Sequence, residues 1–502
     1  MIMPRKVTLV FVGFCLTFSV SPRLRAQNQS NNSGKESAGA LTQRVEDLEN
    51  QIESLRTEIA KLKKQETGSA ATTAASSVPA PVPTQASLTG PTSVPEAKAP
   101  GVITIPPAPL AAQTPEGAPA QGEAAPAAGG AAAPAAPTLA SLMGPLSVTG
   151  FVDGYYSYNF NHPHNSTTCS SGTSFVGASP SCSGLRAFDS PTNQLSLNMV
   201  ELILAKPPDA TNNRLGYNVT FGFGNAMNVV NNTEAGGLGF AQYLKEAFLS
   251  YLVPVGKGLQ VDFGKFVTPA GAEVIETKDN WNYSRSLLFF YAIPFYHFGF
   301  RAKYTFSDKA NVTGYVVNGW NNIIDNNTGK TYGASLALNP NKKWGVVETY
   351  FAGPETTNNN NDWRQLTDTV VTFNPTGKLS LMANYDYGRG DREAGLSRPV
   401  WWSGAAGYVR YAFNDKYAVA ARYENYDDHD GFTTGTGAGK GQIINEGTFT
   451  FERTIASHLI TRWEYRRDMS NWATLVKGTS PIKHQDTVSG GLVYVFDLRE
   501  GK

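Results

Sequence analysis

Acidic and basic side chains occur in two patterns that together could act on a dissolved ion or polar molecule. Three carboxylates, Glu273, Glu276 and Asp279, lie within the long connecting segment 267–294. Other charged residues alternate with apolar residues along short segments: Arg301, Lys303, Arg410, Arg422, Glu424, Arg462, Glu464 and Arg466. Opposed charges in a narrow passage of low dielectric create a transverse field that favours hydrated polar solutes. The pattern therefore predicts a pore constriction with charge selectivity, in which the basic residues face the three carboxylates.

The same charges have a second interpretation, which is structural. Glu424 lies two positions after Arg422, and Glu464 lies two positions after Arg462. Residues two apart share one face of a strand, so each pair could satisfy itself and stiffen a wall. For any single residue, structural pairing is favoured over a selectivity role.

The elements that carry these charges are predicted to be short β-strands, about sixteen in number, after residue 142. Along 379–387 the odd-numbered positions are Leu, Ala or Tyr, whereas Ser380, Asn384 and Asp386 take even-numbered positions. The segment 459–468 alternates in the same way. A closed antiparallel barrel can direct the apolar set to lipid and the polar set to a watery lumen. The predicted fold class is therefore an all-β transmembrane barrel.

The connections between strands support a barrel over a soluble sandwich. Short turns are predicted near 307–309, 339–343, 374–377 and 414–416. Long polar connections are predicted at 161–193, 225–238, 267–294, 388–400, 427–441 and 470–485. Alternating short and long connections are typical of bacterial outer-membrane barrels. Because 267–294 contains the apolar run 287–292, we expect it to pack against protein and to narrow the lumen.

The first 141 residues have a different organisation. Residues 1–26 have the basic start, apolar run and imperfect cleavage site of a secretory signal peptide, and 27–40 are predicted to be disordered. Residues 41–65 are predicted to form a coiled coil, because Leu, Val and Ile recur there in steps of four and three. Residues 66–141 are rich in Ala and Pro and form the predicted linker to the barrel domain, 142–502.

The oligomeric state implied by the coiled coil is open to alternatives. The stretch 44–49 resembles the Arg-containing element of short trimeric coiled coils. The β-branched and Leu positions alone favour a dimer, and a single amphipathic helix on another surface is a third possibility. A trimeric coiled coil fits a trimeric pore, so a homotrimer is the expectation.

Cysteine and charge usage limit the other function classes. If residues 1–26 are removed, Cys169 and Cys182 remain in one polar connection, where a disulfide is expected in an oxidising periplasm. A metal site there is the weaker alternative, and no metal or cofactor is expected elsewhere. The net charge of +1 argues against a nucleic-acid partner. Since the chain has no GxSxG or HExxH element, we expect no enzyme.

A family resemblance adds to this reading. The elements that carry it are Gly264-Lys265-Phe266, Thr268-Pro269-Ala270-Gly271, Glu273, Asn282, Ser284-Arg285-Ser286, Pro294, His297-Phe298-Gly299, Asn318-Gly319-Trp320, Arg422-Tyr423-Glu424 and Glu464-Tyr465-Arg466. Through these elements the chain resembles the OmpL-like β-barrel porin-2 family, most specifically across 258–320 and more weakly over roughly 146–496. The final strand, 491–496, resembles a barrel-assembly signal, although Asp497 to Lys502 follow it. The resemblance implies an outer-membrane channel.

Two functions from different classes follow as expectations. The first is a passive porin in the bacterial outer membrane that contacts lipid and admits small hydrophilic solutes or ions. The second is a structural anchor, in which the periplasmic coiled coil holds peptidoglycan or periplasmic proteins. Deleting 41–140 would separate them, because only the anchor function requires that segment. A barrel hydrolase is a third and weaker possibility.

Overall fold

The computed structural model describes residues 147–164, 181–211, 213–256, 258–391, 398–436 and 439–497. The predicted signal peptide, coiled coil and linker lie outside these residues and stay predictions.

Sixteen antiparallel strands form one closed barrel, as the sequence predicts. Each strand pairs with its neighbours in sequence, and β18 closes the ring by pairing with both β1 and β15. The barrel strands are β1 Ser147–Asn159, β2 Leu195–Lys206, β3 Leu215–Phe223, β4 Leu244–Val253, β5 Leu259–Val267, β6 Tyr296–Ser307, β7 Ala310–Val317, β8 Thr331–Asn341, β9 Trp344–Thr356, β10 Asn359–Phe373, β11 Leu379–Gly390, β12 Val400–Asn414, β13 Tyr417–Asp428, β14 Gln442–Ile455, β15 Leu459–Ser470 and β18 His484–Asp497. The short strands β16 Leu475–Lys477 and β17 Ser480–Ile482 form a separate hairpin.

The two faces of the strands are inverted relative to a soluble protein. In β11, Leu381 and Tyr385 are exposed on the outer face, whereas Asn384 and Asp386 are buried inside. In β15, Trp463 is 62% exposed while the adjacent Glu464 is 4% exposed. The predicted alternation is thus confirmed: apolar and aromatic side chains cover the outside, and polar side chains fill the inside.

The connections divide into a short-turn end and a long-connection end. Both described termini, Ser147 and Asp497, lie at the short-turn end, because β1 and β18 pair from Thr149↔Asp497 onwards. The predicted turns after β6, β8, β10 and β12 are all present. The sequence did not predict the long connection between β7 and β8, or the tight turn at 357–358 between β9 and β10. The turn at 357–358 lies at the long-connection end, but it is short because β9 and β10 themselves extend further at that end. The alternation of short and long connections is therefore interrupted at this point of the sequence.

Among the described residues, helical structure is confined to the long connections. Helices α1 Asn225–Val230 and α2 Leu238–Ala241 lie between β3 and β4. A 3₁₀ turn, Thr277–Asp279, and a π-helical turn, Leu288–Ala292, lie between β5 and β6. None of the described helices is long and apolar enough to cross a bilayer.

Candidate functional site: a loop folded into the barrel lumen

The connection between β5 and β6, residues 268–295, folds into the barrel and is called the inner loop below. Most of its residues are buried, and Thr277, Tyr283, Ser284, Leu288 and Ala292 are fully buried. Its contacts reach inward-facing side chains of strands on several sides of the barrel, from β1 and β4 to β10, β13 and β15. The inner loop therefore occupies the lumen, which would otherwise be a wide aqueous channel in a barrel of this size.

Two carboxylates of the wall hold the backbone of the inner loop. Glu464 accepts hydrogen bonds from the backbone N–H groups of Tyr283, at 2.6 Å, and Ser284, at 3.0 Å. Glu424 accepts from Leu287 at 2.8 Å and from Leu288 at 3.2 Å. A charged acceptor paired with a backbone donor makes a strong hydrogen bond, and here it also satisfies N–H groups buried away from water. The sequence places both residues at a pore constriction; the structure places them beneath the loop as anchors.

Arg422 makes the most extensive set of contacts with the inner loop. Its guanidinium donates to Glu273 Oε1 at 2.6 Å and to the carbonyl oxygen of Ser284 at 2.8 Å. On the wall it donates to Glu446 Oε2 at 2.9 Å and lies 3.6 Å from Glu424. The side chain of Arg422 is 0% exposed. Within the described part of the chain, Arg422–Glu273 is the one ion pair between a predicted basic wall residue and a predicted loop carboxylate, and both side chains are buried.

Arg462 and Arg466 bond to backbone carbonyls of the inner loop rather than to its carboxylates. Arg462 donates to the carbonyl oxygen of Thr277 and pairs with Glu452 at 2.8 Å. Arg466 donates to the carbonyl oxygen of Arg285 at 2.7 Å and pairs with Asp468 at 2.8 Å. Both arginines thus satisfy loop carbonyls that would otherwise be buried without partners. This arrangement matches the structural interpretation of the charge pattern.

The other two predicted loop carboxylates have different partners from those expected. Glu276 pairs with Lys245 of β4, which also contacts Glu201 at 2.6 Å. Asp279 pairs with the adjacent Lys278 at 2.5 Å, and its side chain is 26% exposed. Among the three carboxylates, only Asp279 retains substantial contact with water.

Three predicted basic residues remain partly open to the lumen: Arg301, Lys303 and Arg410. Arg301 pairs with Asp262 at 2.6 Å, and its guanidinium lies 4.7 Å from the ring centres of both Phe248 and Phe266. The Arg301 side chain is 21% exposed. Arg410 pairs with Glu452 at 2.8 Å, and its side chain is similarly exposed, at 19%. Lys303 is half-buried. Of the predicted cationic side chains, these three are the ones that a solute in the lumen could reach.

The apolar part of the inner loop is wedged against the wall at the long-connection end. Leu287, Leu288 and Phe289 are buried together with wall residues such as Trp402 and Tyr426. Trp402 Nε1 donates to the carbonyl oxygen of Ala292 at 3.1 Å. The expectation that the run 287–292 packs against protein is met, and its burial from water stabilises the folded-in position.

Further contacts were not predicted from the sequence. Asp153 of β1 accepts a hydrogen bond from the Tyr283 hydroxyl at 2.8 Å, and Asp368 of β10 accepts from the backbone N–H of Gly271 at 2.9 Å. Burial raises the pKa of Tyr283 well above its ordinary value, and Asp153 raises it further, so the hydroxyl stays a donor. Gly491 of β18 leaves room for this ring, because a Cβ there would lie 2.4 Å from it. The alternation of polar and apolar residues along β1 and β10 could show that Asp153 and Asp368 point into the barrel. It could not show which atoms of the inner loop they contact.

Of the two cysteines predicted to form a disulfide, only Cys182 lies within the described residues. Cys182 is disulfide-bonded and 1% exposed. Cys169 lies outside the described residues, so its pairing with Cys182 stays a prediction. In the same connection, Arg186 pairs with the buried Asp468 of β15 at 2.8 Å, and this ion pair joins the connection to the inner face of the barrel wall.

Several solved outer-membrane proteins are among the structures to which the chain is similar. A loop L8 deletion mutant of OmpT from Vibrio cholerae has 11% identity and a TM-score of 0.44, covering 70% of this chain and 100% of that chain. An anion-selective porin from Comamonas acidovorans has 10% identity and a TM-score of 0.44, with 70% and 99% covered. The channel DcaP of Acinetobacter baumannii has 11% identity and a TM-score of 0.42, with 70% and 97% covered.

Family membership comes from the sequence match. No curated protein matches the chain at a significant level. The family described as "Putative beta-barrel porin-2, OmpL-like" matches residues 145–496, which is more than half of the 502 residues. The closed sixteen-stranded barrel agrees with that description. The chain therefore belongs to the OmpL-like β-barrel porin-2 family, and its barrel is that of an outer-membrane porin.

Proposed function

We propose that the protein is a passive diffusion channel for small hydrophilic solutes or ions, constricted by the inner loop. The observation that carries this proposal is the closed barrel with a polar inside and an apolar, aromatic outside. Such a wall suits a bilayer on one face and a hydrated path on the other. Because the inner loop fills much of the lumen, the path is narrow and admits only small solutes.

Single-channel recording of the purified protein in a planar bilayer tests this function. Discrete, stable conductance steps in potassium chloride are expected. Because the inner loop fills much of the lumen, the conductance steps should be small for a sixteen-stranded barrel. Because buried charge pairs hold the loop in place, the open channel should rarely flicker. A folded barrel that inserts but gives no steps would contradict the channel proposal.

Charge selectivity is proposed to come from the cationic side chains that remain reachable, Arg301 and Lys303 first among them. The double variant Arg301→Ala/Lys303→Ala should raise the cation-to-anion permeability ratio by about twofold, because cations are no longer repelled along that wall. The measurement is the reversal potential in a salt gradient. Lys309→Ala, in an exposed turn outside the lumen, is the matched control. A reversal potential that is equal in both variants would remove Arg301 and Lys303 from the selectivity site.

We also propose a homotrimer and a periplasmic position for the N-terminal segments. The support is the heptad pattern of 41–65 and the position of both described termini at the short-turn end, which faces the periplasm in bacterial barrels. The signal peptide 1–26 and the linker 66–141 belong to the same proposal. Light scattering of the purified protein, with and without residues 41–65, tests the trimer.

A further inference from the structure

Two aspartates face each other on the inner wall, beneath the first part of the inner loop. Asp368 of β10 lies directly opposite Asp386 of β11 in the strand register, and both are 0% exposed. Asn384 Nδ2 donates to Asp368 Oδ2 at 2.8 Å and lies 3.5 Å from Asp386 Oδ1. Neither aspartate forms an ion pair within the described part of the chain. Two carboxyl groups are therefore buried side by side without a cation bonded to either.

The contacts of this pair require a proton. The two carboxyl groups are hydrogen-bonded to each other, and such a bond needs a proton on one of them. Asp386 Oδ2 accepts no hydrogen bond from any described residue, as expected of the oxygen that carries the proton. Both oxygens of Asp368 already accept, one from Asn384 and one from the backbone N–H of Gly271. Asp386 is therefore the donor of the pair, and Asp368 is the acceptor.

The same pair holds the inner loop against the wall. Asp368 Oδ1 accepts from the backbone N–H of Gly271 at 2.9 Å, and Asn384 Oδ1 accepts from that of Ala272 at 3.3 Å. Ala270, just before them, is 2% exposed, so this part of the loop is closed against protein. With the loop in this docked position, water cannot solvate a second negative charge on the pair.

The charged and titratable groups around the pair do not supply a free positive charge. They are Glu348 of β9, on the outer face, Glu424 and Tyr426 of β13, and Glu273, two residues after Gly271 in the inner loop. On β12, the position opposite Asp386 is Gly404. Arg422 lies 2.6 Å from Glu273 and 3.6 Å from Glu424, so these two carboxylates already balance its charge. A second negative charge on the pair would add to the carboxylates already present.

Docking of the loop and binding of the proton are thus linked. With the loop released, the pair contacts lumen water, where both aspartates ionise above about pH 4 and the proton passes to the solvent. The docked form holds one proton more than the released form, so the docked-to-released ratio falls by up to about tenfold for each pH unit above that value. The docked form is favoured at acid pH and disfavoured at alkaline pH.

We propose that the proton shared by Asp368 and Asp386 makes docking of the inner loop pH-dependent, so that the pore is narrower at acid pH than at alkaline pH. The inference rests in part on the proposed function, because it names a condition that regulates that channel. Docking itself can be measured whether or not the pore conducts.

Hydrogen–deuterium exchange of the purified protein in detergent, read by mass spectrometry, tests the proposal at pH 5, 7 and 9. Asp386→Asn is the central variant, because its amide can donate to Asp368 but cannot ionise. Peptides covering 268–275 should exchange equally in both proteins at pH 5, and at least about tenfold faster in the unmodified protein at pH 9. Comparing the two proteins at one pH removes the intrinsic pH dependence of exchange. Equal exchange at every pH would overturn the proposal.

Two further variants support the comparison. Asp368→Asn keeps an acceptor for Gly271 and removes one of the two charges, so it should also abolish the alkaline rise, and it decides the matter if Asp386→Asn fails to fold. Asp415→Asn, in the exposed turn after β12, is the matched control and should follow the unmodified protein. An alkaline rise that persists in Asp368→Asn would likewise reject the shared proton.

Conductance of the same preparations separates this proposal from the channel proposal. Conductance should rise with pH in the unmodified protein more than in Asp386→Asn. Exchange that depends on pH as expected, without any conductance steps, would reject the channel and support the linked proton. Steps together with equal exchange in both proteins would reject the linked proton and leave the channel intact.

Discussion

Replacing residues 269–294 of the inner loop by a four-residue glycine-rich turn is expected to raise single-channel conductance several-fold. Val267 and Tyr296 are paired across β5 and β6, so a short turn can join the two strands without strain. Without the loop, the lumen becomes a water-filled channel of the kind that sixteen-stranded barrels enclose. Arg422, Glu424 and Glu464 would then face water, where unpaired charges are tolerated.

The control for this variant is excision of residues 436–440, in the connection between β13 and β14. Gly439 and Lys440 in that tip are exposed, so the excision should leave conductance nearly unchanged. Heat-modifiability on gels would verify that both shortened barrels fold. If the inner-loop variant folds and its conductance equals that of the unmodified protein, the inner loop does not constrict the pore.

Arg422→Met is expected to lower the free energy of unfolding by about 3–5 kcal/mol, the usual cost of removing one partner from a buried ion pair. The guanidinium bonds to Glu273, Glu446 and the carbonyl oxygen of Ser284. Its loss would leave Glu273 buried without its ion-pair partner, and Glu446 buried with only Arg466, 3.7 Å away, as a cationic neighbour. The measurement is urea titration of the folded protein in lipid vesicles, followed by tryptophan fluorescence.

Arg410→Met provides a comparison on the neighbouring strand. Arg410 pairs with a single carboxylate, Glu452, and its side chain is 19% exposed. Arg410→Met should therefore lower the free energy of unfolding by about 1 kcal/mol or less. The double variant Arg422→Met/Glu446→Gln should recover part of the stability, because it removes one of the buried carboxylates that Arg422 neutralises. Equal losses for Arg422→Met and Arg410→Met would contradict the role of Arg422 as a buried clamp.

The buried charges and the reachable charges of the lumen thus have different roles. Arg422, Arg462 and Arg466 bind loop atoms and are nearly fully buried, so altering them should change the position of the loop or the stability of the barrel. Arg301 and Lys303 are partly exposed on the inner face of the barrel, so altering them should change selectivity with little loss of stability. Measuring conductance, reversal potential and unfolding on one set of variants separates the two roles.

The sequence by itself determined the barrel, its strand faces and most of its connections. Strand alternation has a period of two residues, so it can be read locally, and a polar face on nearly every strand requires a closed wall around a lumen. The apolar run 287–292 also predicted that the connection after β5 packs against protein. Each of these features is set by residues that lie close together in the sequence.

Only the tertiary structure decided which charges meet. Arg422 and Glu273 are 149 residues apart, and Glu464 lies 181 residues from the Tyr283 amide that it binds. The pairing depends on how the closed barrel brings β13 and β15 around the inner loop and on which backbone groups the loop presents to each strand. Alternation places a side chain inside the barrel, but its partner there is set by barrel closure and by the path of the loop.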